Sequence, residues 1–151
     1  MSTKRFDWIW FGAGALGAAA LGGLFAPGAW FAALHKPSWN PPGWLFGPVW
    51  TVLYVMIAIA GTLAWRAPTI RKRATTWWVA QMVLNAAWTP MFFGLRQLWP
   101  AVVVIAAVWF CIIGFIVTTR REQPRAAQLF GPYLAWVSFA SALNISIAMM
   151  N

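Results

Sequence analysis

The feature that most constrains this chain is the stretch at 36–54, KPSWNPPGWLFGPVWTVLY, which holds four prolines and three tryptophans between two long apolar runs. In a helix interior each proline would remove a backbone donor and clash with the preceding turn, so this density of prolines excludes a continuous helix. We therefore predict an ordered aromatic loop, followed by a helix in the apolar run after Pro48. Because loops held on a rigid scaffold often carry function, this loop is the first place to look for a binding site.

Five uncharged runs are each about as long as the 20 helical residues that cross the hydrocarbon core of a membrane. They lie at 8–25, 45–65, 77–95, 98–119 and 126–150. With 62% hydrophobic and 9% charged residues, the chain is far outside the composition of soluble proteins. Helices are expected, since backbone groups in lipid must be satisfied internally. We predict one domain over 1–151, an all-α integral membrane protein built as a five-transmembrane-helix bundle, with a long Pro/Trp-rich loop between the first two helices.

The formal net charge of +9 is concentrated at the ends of the apolar runs, without the basic face that a nucleic-acid-binding surface needs. With five crossings, the N-terminus and the loops after the second and fourth helices share one side. That side holds nine basic residues: Lys4, Arg5, Arg66, Arg71, Lys72, Arg73, Arg120, Arg121 and Arg125. The other side holds only Lys36 and Arg96. The positive-inside rule therefore predicts a cytoplasmic N-terminus, with the Pro/Trp-rich loop and the C-terminus outside. In a bacterium this bias favours the cell membrane.

The inventory of reactive side chains is small. The chain has one cysteine, Cys111, one histidine, His35, and two acids, Asp7 and Glu122. A disulfide within the chain is excluded, and a metal site built from several His, Cys and carboxylate ligands is not expected. The inventory also argues against conventional hydrolytic catalysis, because the acids and the histidine lie in different segments.

Three of the predicted helices place polar or aromatic side chains four residues apart, and hence on one face: Trp50 and Tyr54; Gln81, Asn85 and Thr89; Trp136, Ala140 and Asn144. Amides deep in a membrane helix are costly to expose to lipid, so Asn85 and Asn144 should face the bundle interior. They either join helices by hydrogen bonds or line a pocket whose walls are Trp50, Trp88 and Trp136. Both interpretations are open at this stage.

The thirteen tryptophans fall into three groups. Those at the ends of apolar runs fit the interfacial belt of membrane proteins: Trp8, Trp10, Trp65, Trp77, Trp78 and Trp99. Three belong to the long loop: Trp30, Trp39 and Trp44. Trp50, Trp88 and Trp136 lie well inside runs beside polar residues, which the belt does not explain.

Three motifs together resemble one family. They are KPSWNPPGWLFGPVWTVLY at 36–54, NAAWTPMFFG at 85–94 and PYLAWVSFASALN at 132–144. They closely resemble the signatures of the TspO/MBR family, the tryptophan-rich sensory proteins or translocator proteins, once called peripheral benzodiazepine receptors. The resemblance covers nearly the whole chain. It implies a five-helix bundle, usually a homodimer with its interface on the third helix, and an interior pocket closed by the first loop.

Family members bind porphyrins such as protoporphyrin IX and haem, and in some cases sterols or isoquinoline carboxamides. Carried over by motif, the resemblance assigns the pocket residues as Trp39, Pro41, Phe46, Trp50, Asn85, Trp88, Thr89, Trp136, Ala140 and Leu143. Two departures stand out. Phe31 follows Trp30 where many members have Tyr, and no basic residue follows Tyr133, as the sterol pattern of the animal proteins requires.

The resemblance thus predicts a membrane receptor or transporter-like protein that binds tetrapyrroles, with porphyrin or haem as a ligand and not as an obligatory cofactor. A flat π-system suits a slot with aromatic walls, and its carboxylates would meet His35 and Lys36 at the mouth. Ligation of haem iron by His35 is a less favoured alternative. Two other functions are open. Some bacterial relatives degrade protoporphyrin IX in light, which would make Trp50 and Trp136 catalytic, and a scaffold without ligand is the third.

Overall fold

Six α-helices make up the computed structural model, which describes residues 6–151 and contains no β-strand in that range. They are α1 (Asp7–Leu24), α2 (Ala29–Ala33), α3 (Phe46–Trp65), α4 (Arg71–Thr89), α5 (Leu98–Thr119) and α6 (Pro124–Met150). A 3₁₀ turn at Gly43–Leu45 leads into α3, and a π-helical turn at Pro90–Gly94 extends α4. Lys4 and Arg5, which contribute to the predicted charge bias, lie outside the described residues.

Within residues 6–151, three helical segments are long and apolar enough to cross a membrane by length and composition: Gly43–Trp65, Leu98–Thr119 and Pro124–Met150. The helices α1 and α4 are 18 and 19 residues long and do not belong to this set. Large apolar side chains point outward, among them Trp10 and Leu16 on α1 and Val103 and Phe110 on α5. An outer surface of this kind suits contact with lipid and not with water.

The five long helices pack side by side. In order around the bundle the helices are α1, α3, α6, α5 and α4. Helix α4 closes the ring by packing on α1, and it also packs on α3. The largest fully buried side chains, Tyr133, Phe115 and Phe130, lie where α5 and α6 meet the interior. The rings of Phe115 and Phe130 stack with centroids 4.0 Å apart. These side chains lie in the halves of α5 and α6 that are nearer the turn between the two helices.

Polar contacts tie together the segments at one end of the bundle. Asp7 at the start of α1 forms a salt bridge of 3.6 Å with Arg66, which follows α3. Thr69, in the turn between α3 and α4, donates a hydrogen bond of 3.2 Å to Glu122, in the turn between α5 and α6. Most of the basic residues belong to these turns and to the adjoining helix ends. The connection from α1 to α3 and the end of α6 meet at the opposite end, as described below.

Helix α4 begins at Arg71, six residues before the predicted run that starts at Trp77. The predicted run was defined as a stretch without charged residues, whereas the first turn of the helix contains three basic residues. Arg71 shows how this turn is held, because its Nε donates to the carbonyl oxygen of Trp65 at 2.6 Å and its guanidinium lies over the same indole. A charged side chain at a membrane boundary can thus belong to the helix itself.

Proline changes the backbone where α4 ends. Pro90 has no N–H for the bond to the preceding turn, and the chain continues as a π-helical turn in which the Leu95 amide donates to the Pro90 carbonyl at 2.8 Å. Arg96 then takes a left-handed conformation with φ of 56°. Pro90 therefore marks the point at which the α-helical hydrogen bonding of α4 ends.

Candidate ligand-binding site

Aromatic rings join three parts of the chain near the start of α3. The ring of Trp39 in the α1–α3 connection lies 5.7 Å from Phe139 on α6, and Phe139 lies 5.5 Å from Trp136. The ring of Trp136 lies in turn 5.7 Å from Phe46 at the beginning of α3. We call these four residues the aromatic chain. It brings Trp39, Phe46 and Trp136, three of the predicted pocket residues, into one contact series.

Trp50 lies beside the aromatic chain, one turn further along α3. Its indole lies 5.4 Å from Tyr54 on the same helix and 6.3 Å from Tyr133 on α6. The predicted pairing of Trp50 with Tyr54 on one helix face is therefore confirmed. Tyr133 makes this link to α6, and the sequence offered a signal for it, since Tyr133 lies three residues before Trp136 on the same face.

An open groove of about 550 Å³ separates the outer edges of α3 and α6. Its lining is apolar, and consists of Pro48, Val49, Val52, Leu53 and Met56 from α3 and of Pro132, Ala135, Trp136 and Phe139 from α6. A proline from each helix lies in this lining, and Ala135 adds little volume between them. The volume falls within the range of about 300–1,000 Å³ that is usual for small-molecule sites.

Two unpaired polar atoms lie near this groove. The indole Nε1 of Trp136 and the Oδ1 of Asn40 are buried without a hydrogen-bond partner. Asn40 directly follows Trp39, and its Nδ2 donates to the Pro41 carbonyl at 3.3 Å. Leaving such an atom unpaired costs about 1–3 kcal/mol. Both atoms are closed off by neighbouring side chains, so a ligand would reach them only if those side chains moved.

The amides of α4 are paired within the protein. The Tyr133 hydroxyl donates to Oε1 of Gln81 at 2.7 Å and accepts from Nδ2 of Asn85 at 2.8 Å. Gln81 also donates to the Trp78 carbonyl at 2.9 Å. Helices α4 and α6 are not among the closely packed pairs, so these bonds cross the interior between them.

A second cross-link lies nearer the loop end. The Trp88 indole donates to Oδ1 of Asn144 at 3.0 Å, and the Asn144 amide donates to the Leu98 carbonyl at 3.3 Å. Trp88 also stacks on Phe92, with centroids 5.0 Å apart. Of the two interpretations of the buried amides, the structure shows helix cross-linking for both Asn85 and Asn144.

The other predicted pocket residues occupy different surroundings. Leu143 is buried in a cluster with Phe92, against which Trp88 and Phe46 also pack, and Ala140 packs on the main core. Thr89 faces α1, since its hydroxyl would lie 3.8 Å from a Cβ added at Gly22. Their role in ligand binding remains a prediction.

Lys36 and His35 both interact with their own chain. The Lys36 ammonium donates to the carbonyls of Ala32 at 3.2 Å and Leu34 at 2.9 Å, and lies 4.8 Å from the Phe31 ring centroid. The main chain of His35 is hydrogen-bonded to the side chain of Asn151. The predicted contact of both residues with a ligand carboxylate stays a prediction.

One tryptophan was placed wrongly from the sequence. Trp78 was predicted for the interfacial belt, but only 5% of its surface is exposed and its Nε1 donates to the Ile57 carbonyl at 2.9 Å. The prediction failed because it used distance from the end of the charge-free run, and α4 extends beyond that run. Gly61 makes the contact geometrically accessible, since its missing side chain leaves room for the indole.

Comparison with known proteins identifies the family. The TspO/MBR family model matches residues 10–150. Protein CrtK of Rhodobacter capsulatus is 35% identical over 137 residues, which is 89% of this chain and 86% of that protein. The tryptophan-rich protein TspO of Chlorobaculum tepidum is 38% identical, covering 83% of this chain and 82% of its own. The human translocator protein is also 38% identical, over 78% of this chain and 72% of its own. This multi-pass integral membrane protein, with a receptor-like role, belongs to the TspO/MBR family.

Proposed function

We propose that the protein binds a tetrapyrrole, such as protoporphyrin IX or haem, at the groove between α3 and α6, and that binding serves a sensory or regulatory role. One observation carries the proposal. The Trp136 indole has a buried, unpaired N–H, and Trp136 lines a groove whose other residues are apolar. A ligand with an apolar body and a suitably placed acceptor would remove the cost of that unpaired donor once the side chains that cover Nε1 moved aside.

A tetrapyrrole matches the shape and chemistry of the surroundings. The aromatic chain presents rings from α3, α6 and the α1–α3 connection, and offset stacking on each adds about 0.5–1.5 kcal/mol beyond burial. The ligand's carboxylates would lie towards the end of the bundle that holds His35, Lys36 and Arg96. Family membership supports the same ligand class. Sterols and isoquinoline carboxamides are further candidates for the groove, and they should compete with porphyrin if they share it.

Substitution of Trp136 by Phe tests the role of the indole N–H while keeping an aromatic ring. Titration of the purified protein in nanodiscs with protoporphyrin IX, followed by tryptophan quenching, should show affinity reduced about five- to tenfold in Trp136→Phe. Thermal stability should be unchanged or slightly higher, because the substitution removes an unpaired buried donor. Trp10→Phe, at the other end of the bundle and 79% exposed, is the matched control and should bind as the parent does. Equal affinity in both variants would refute this use of Trp136.

Illumination of the same samples separates binding from the two other functions. Loss of porphyrin absorbance that requires both Trp50 and Trp136 would identify a light-dependent porphyrin-degrading enzyme. Quenching without loss of absorbance supports a receptor. Absence of any binding would leave a membrane scaffold and refute the proposal.

We further propose that all five long helices cross the bilayer. Although α4 is the most polar of them, it packs along α5, and its amides are hydrogen-bonded inside the bundle. The basic end would face the cytoplasm, with the α1–α3 connection and Asn151 outside, in a bacterial cell membrane. Single cysteines placed at Ser38 and Thr69 in a Cys111→Ser background test this orientation. An impermeant maleimide should label intact cells only at position 38, and labelling only at position 69 would reverse the topology.

We also propose that the protein is a homodimer that associates through α4. This helix exposes Val79 and Val83, whose relative exposures are 47% and 62%. Their positions four residues apart give one apolar stripe. Light scattering in detergent should give twice the 16.8 kDa protein mass. A single protein mass in both detergent and nanodiscs would exclude the dimer.

A further inference from the structure

One side chain at the end of α6 pairs with the main chain of the α1–α3 connection. The Oδ1 of Asn151 accepts from the His35 amide at 2.9 Å, and its Nδ2 donates to the His35 carbonyl at 2.8 Å. The same Nδ2 donates to the Ile147 carbonyl in the last turn of α6, also at 2.8 Å. Asn151 thus presents a donor and an acceptor to one residue, as a neighbouring β-strand would, while α6 holds the amide in place.

The connection has a second fixed point on α6. Trp39 lies against Phe139, a member of the groove lining, with ring centroids 5.7 Å apart. From Phe139 to Asn151 the helix rises about 18 Å, at about 1.5 Å per residue. The segment 35–39 therefore follows the last turns of α6 between the two contacts, and ends in a turn in which the Asn40 amide donates to the Pro37 carbonyl at 3.0 Å.

Both fixed points are partly open to the surroundings. Trp39 is 46% exposed and packs on the half-buried ring of Phe139, and His35 and Asn151 are exposed, so their hydrogen bonds compete with water. Bonds of this kind open more readily than those in a core. The Asn151 pairing is thus the contact through which the segment can be released without disturbing the helices.

We propose that Asn151 is a positioning residue of the ligand site: its amide clasps the main chain of His35 and so holds the segment with Trp39 over the groove, and release of the clasp opens the site. The proposal rests on the proposed function to the extent that the groove holds the ligand. The clasp itself is a property of the unliganded protein. It sets how often the segment lifts, and thereby the rates at which a ligand enters and leaves.

The clasp provides its own matched control. Asn151→Ala removes both main-chain bonds to the connection, whereas His35→Ala keeps them and loses only the longer contact of 3.4 Å between the imidazole Nδ1 and Oδ1 of Asn151. Losing two exposed hydrogen bonds should raise the opening of the segment on the order of tenfold. Hydrogen exchange of peptides covering 31–42, followed by mass spectrometry on ligand-free protein, should therefore be faster by about that factor in Asn151→Ala alone. Exchange in α5 should not change, which shows that the bundle stays folded.

Stopped-flow mixing with protoporphyrin IX then tests the effect on the site. In Asn151→Ala both the association and the dissociation rate should rise, while Trp10→Phe, at the other end of the bundle, keeps the parent rates. Unchanged exchange in Asn151→Ala overturns the clasp, and faster exchange with unchanged porphyrin rates overturns its control of access. If no variant binds porphyrin, the proposed function fails, and the exchange measurement still decides whether the clasp exists.

Discussion

Replacement of Gly61 by alanine tests how closely α1, α3 and α4 approach one another. A Cβ added at Gly61 would lie against the ring of Phe11 and 2.6 Å from Nε1 of Trp78. Carbon atoms pack best at about 3.5–4.0 Å, so the Trp78 indole would have to retreat by about 1 Å. Its hydrogen bond to the Ile57 carbonyl, now 2.9 Å long, could not survive that movement.

The magnitude follows from three contributions. Overpacking of a rigid core costs about 1–3 kcal/mol. Loss of a hydrogen bond between membrane helices adds about 0.6 kcal/mol, whereas the higher helix propensity of alanine returns up to about 1 kcal/mol. We expect Gly61→Ala to lower the free energy of unfolding by about 1–3 kcal/mol. For a chain of this size that corresponds to a Tm lower by about 3–9 °C.

Thermal unfolding in detergent, followed by near-ultraviolet circular dichroism, measures the effect. Gly17→Ala is the matched control, because it makes the same change in α1 at a position where an added Cβ meets nothing within 4 Å. Gly17→Ala should unfold at the parent temperature or slightly above it. If Gly61→Ala were as stable as this control, the close contact among the three helices would be wrong.

Three further substitutions probe other contacts, each by the same thermal measurement. Gly114→Ala would drive a Cβ into the indole of Trp77 and should destabilise the α4–α5 contact by about 1–3 kcal/mol, so an unchanged Tm would contradict that packing. Tyr133→Phe leaves two buried amides of α4 without their shared hydroxyl and should cost about 1–2 kcal/mol, with parental stability as the contrary result. Asn144→Ala removes the acceptor of the Trp88 indole, should destabilise by a similar amount, and should shift tryptophan emission; no change in either would argue against the cross-link.

Much of the helix pattern is predictable, because hydropathy alone sets where apolar helices lie. The predicted run 98–119 coincides with α5, and 8–25 and 45–65 lie within one residue of α1 and α3. The family resemblance carried by the three motifs is also confirmed. The short helix α2 was missed, since five residues between Gly28 and Leu34 are too few to show a helical period. It lies inside the segment predicted as a loop.

The hydrogen-bond partners of the polar side chains could not be predicted from the sequence. Spacing placed Gln81 and Asn85 on one face of α4, but nothing local showed that both would bond to Tyr133, about 50 positions further on. The role of Asn151 depends likewise on a main-chain contact across a separation of 116 residues. A side-chain pattern predicts which face is polar, whereas the identity of the partner depends on how the helices are arranged around the bundle.

The tryptophans show how the structure separates packing residues from candidate ligand contacts. From the sequence, the tryptophans were grouped by their distance from the ends of the apolar runs, which placed Trp88 and Trp136 in the same group. Their indole N–H groups distinguish them. Three buried or half-buried indoles donate to acceptors within the protein. Trp78 donates to the Ile57 carbonyl at 2.9 Å, Trp88 to Oδ1 of Asn144 at 3.0 Å and Trp109 to Oγ of Ser138 at 2.9 Å. Trp136 is buried at its Nε1 and has no acceptor.

Since an interior of low polarity penalises an unpaired donor, an indole whose partner lies in the protein is explained by packing and cross-linking alone. Trp136 is not, which is why we propose a ligand acceptor as its partner.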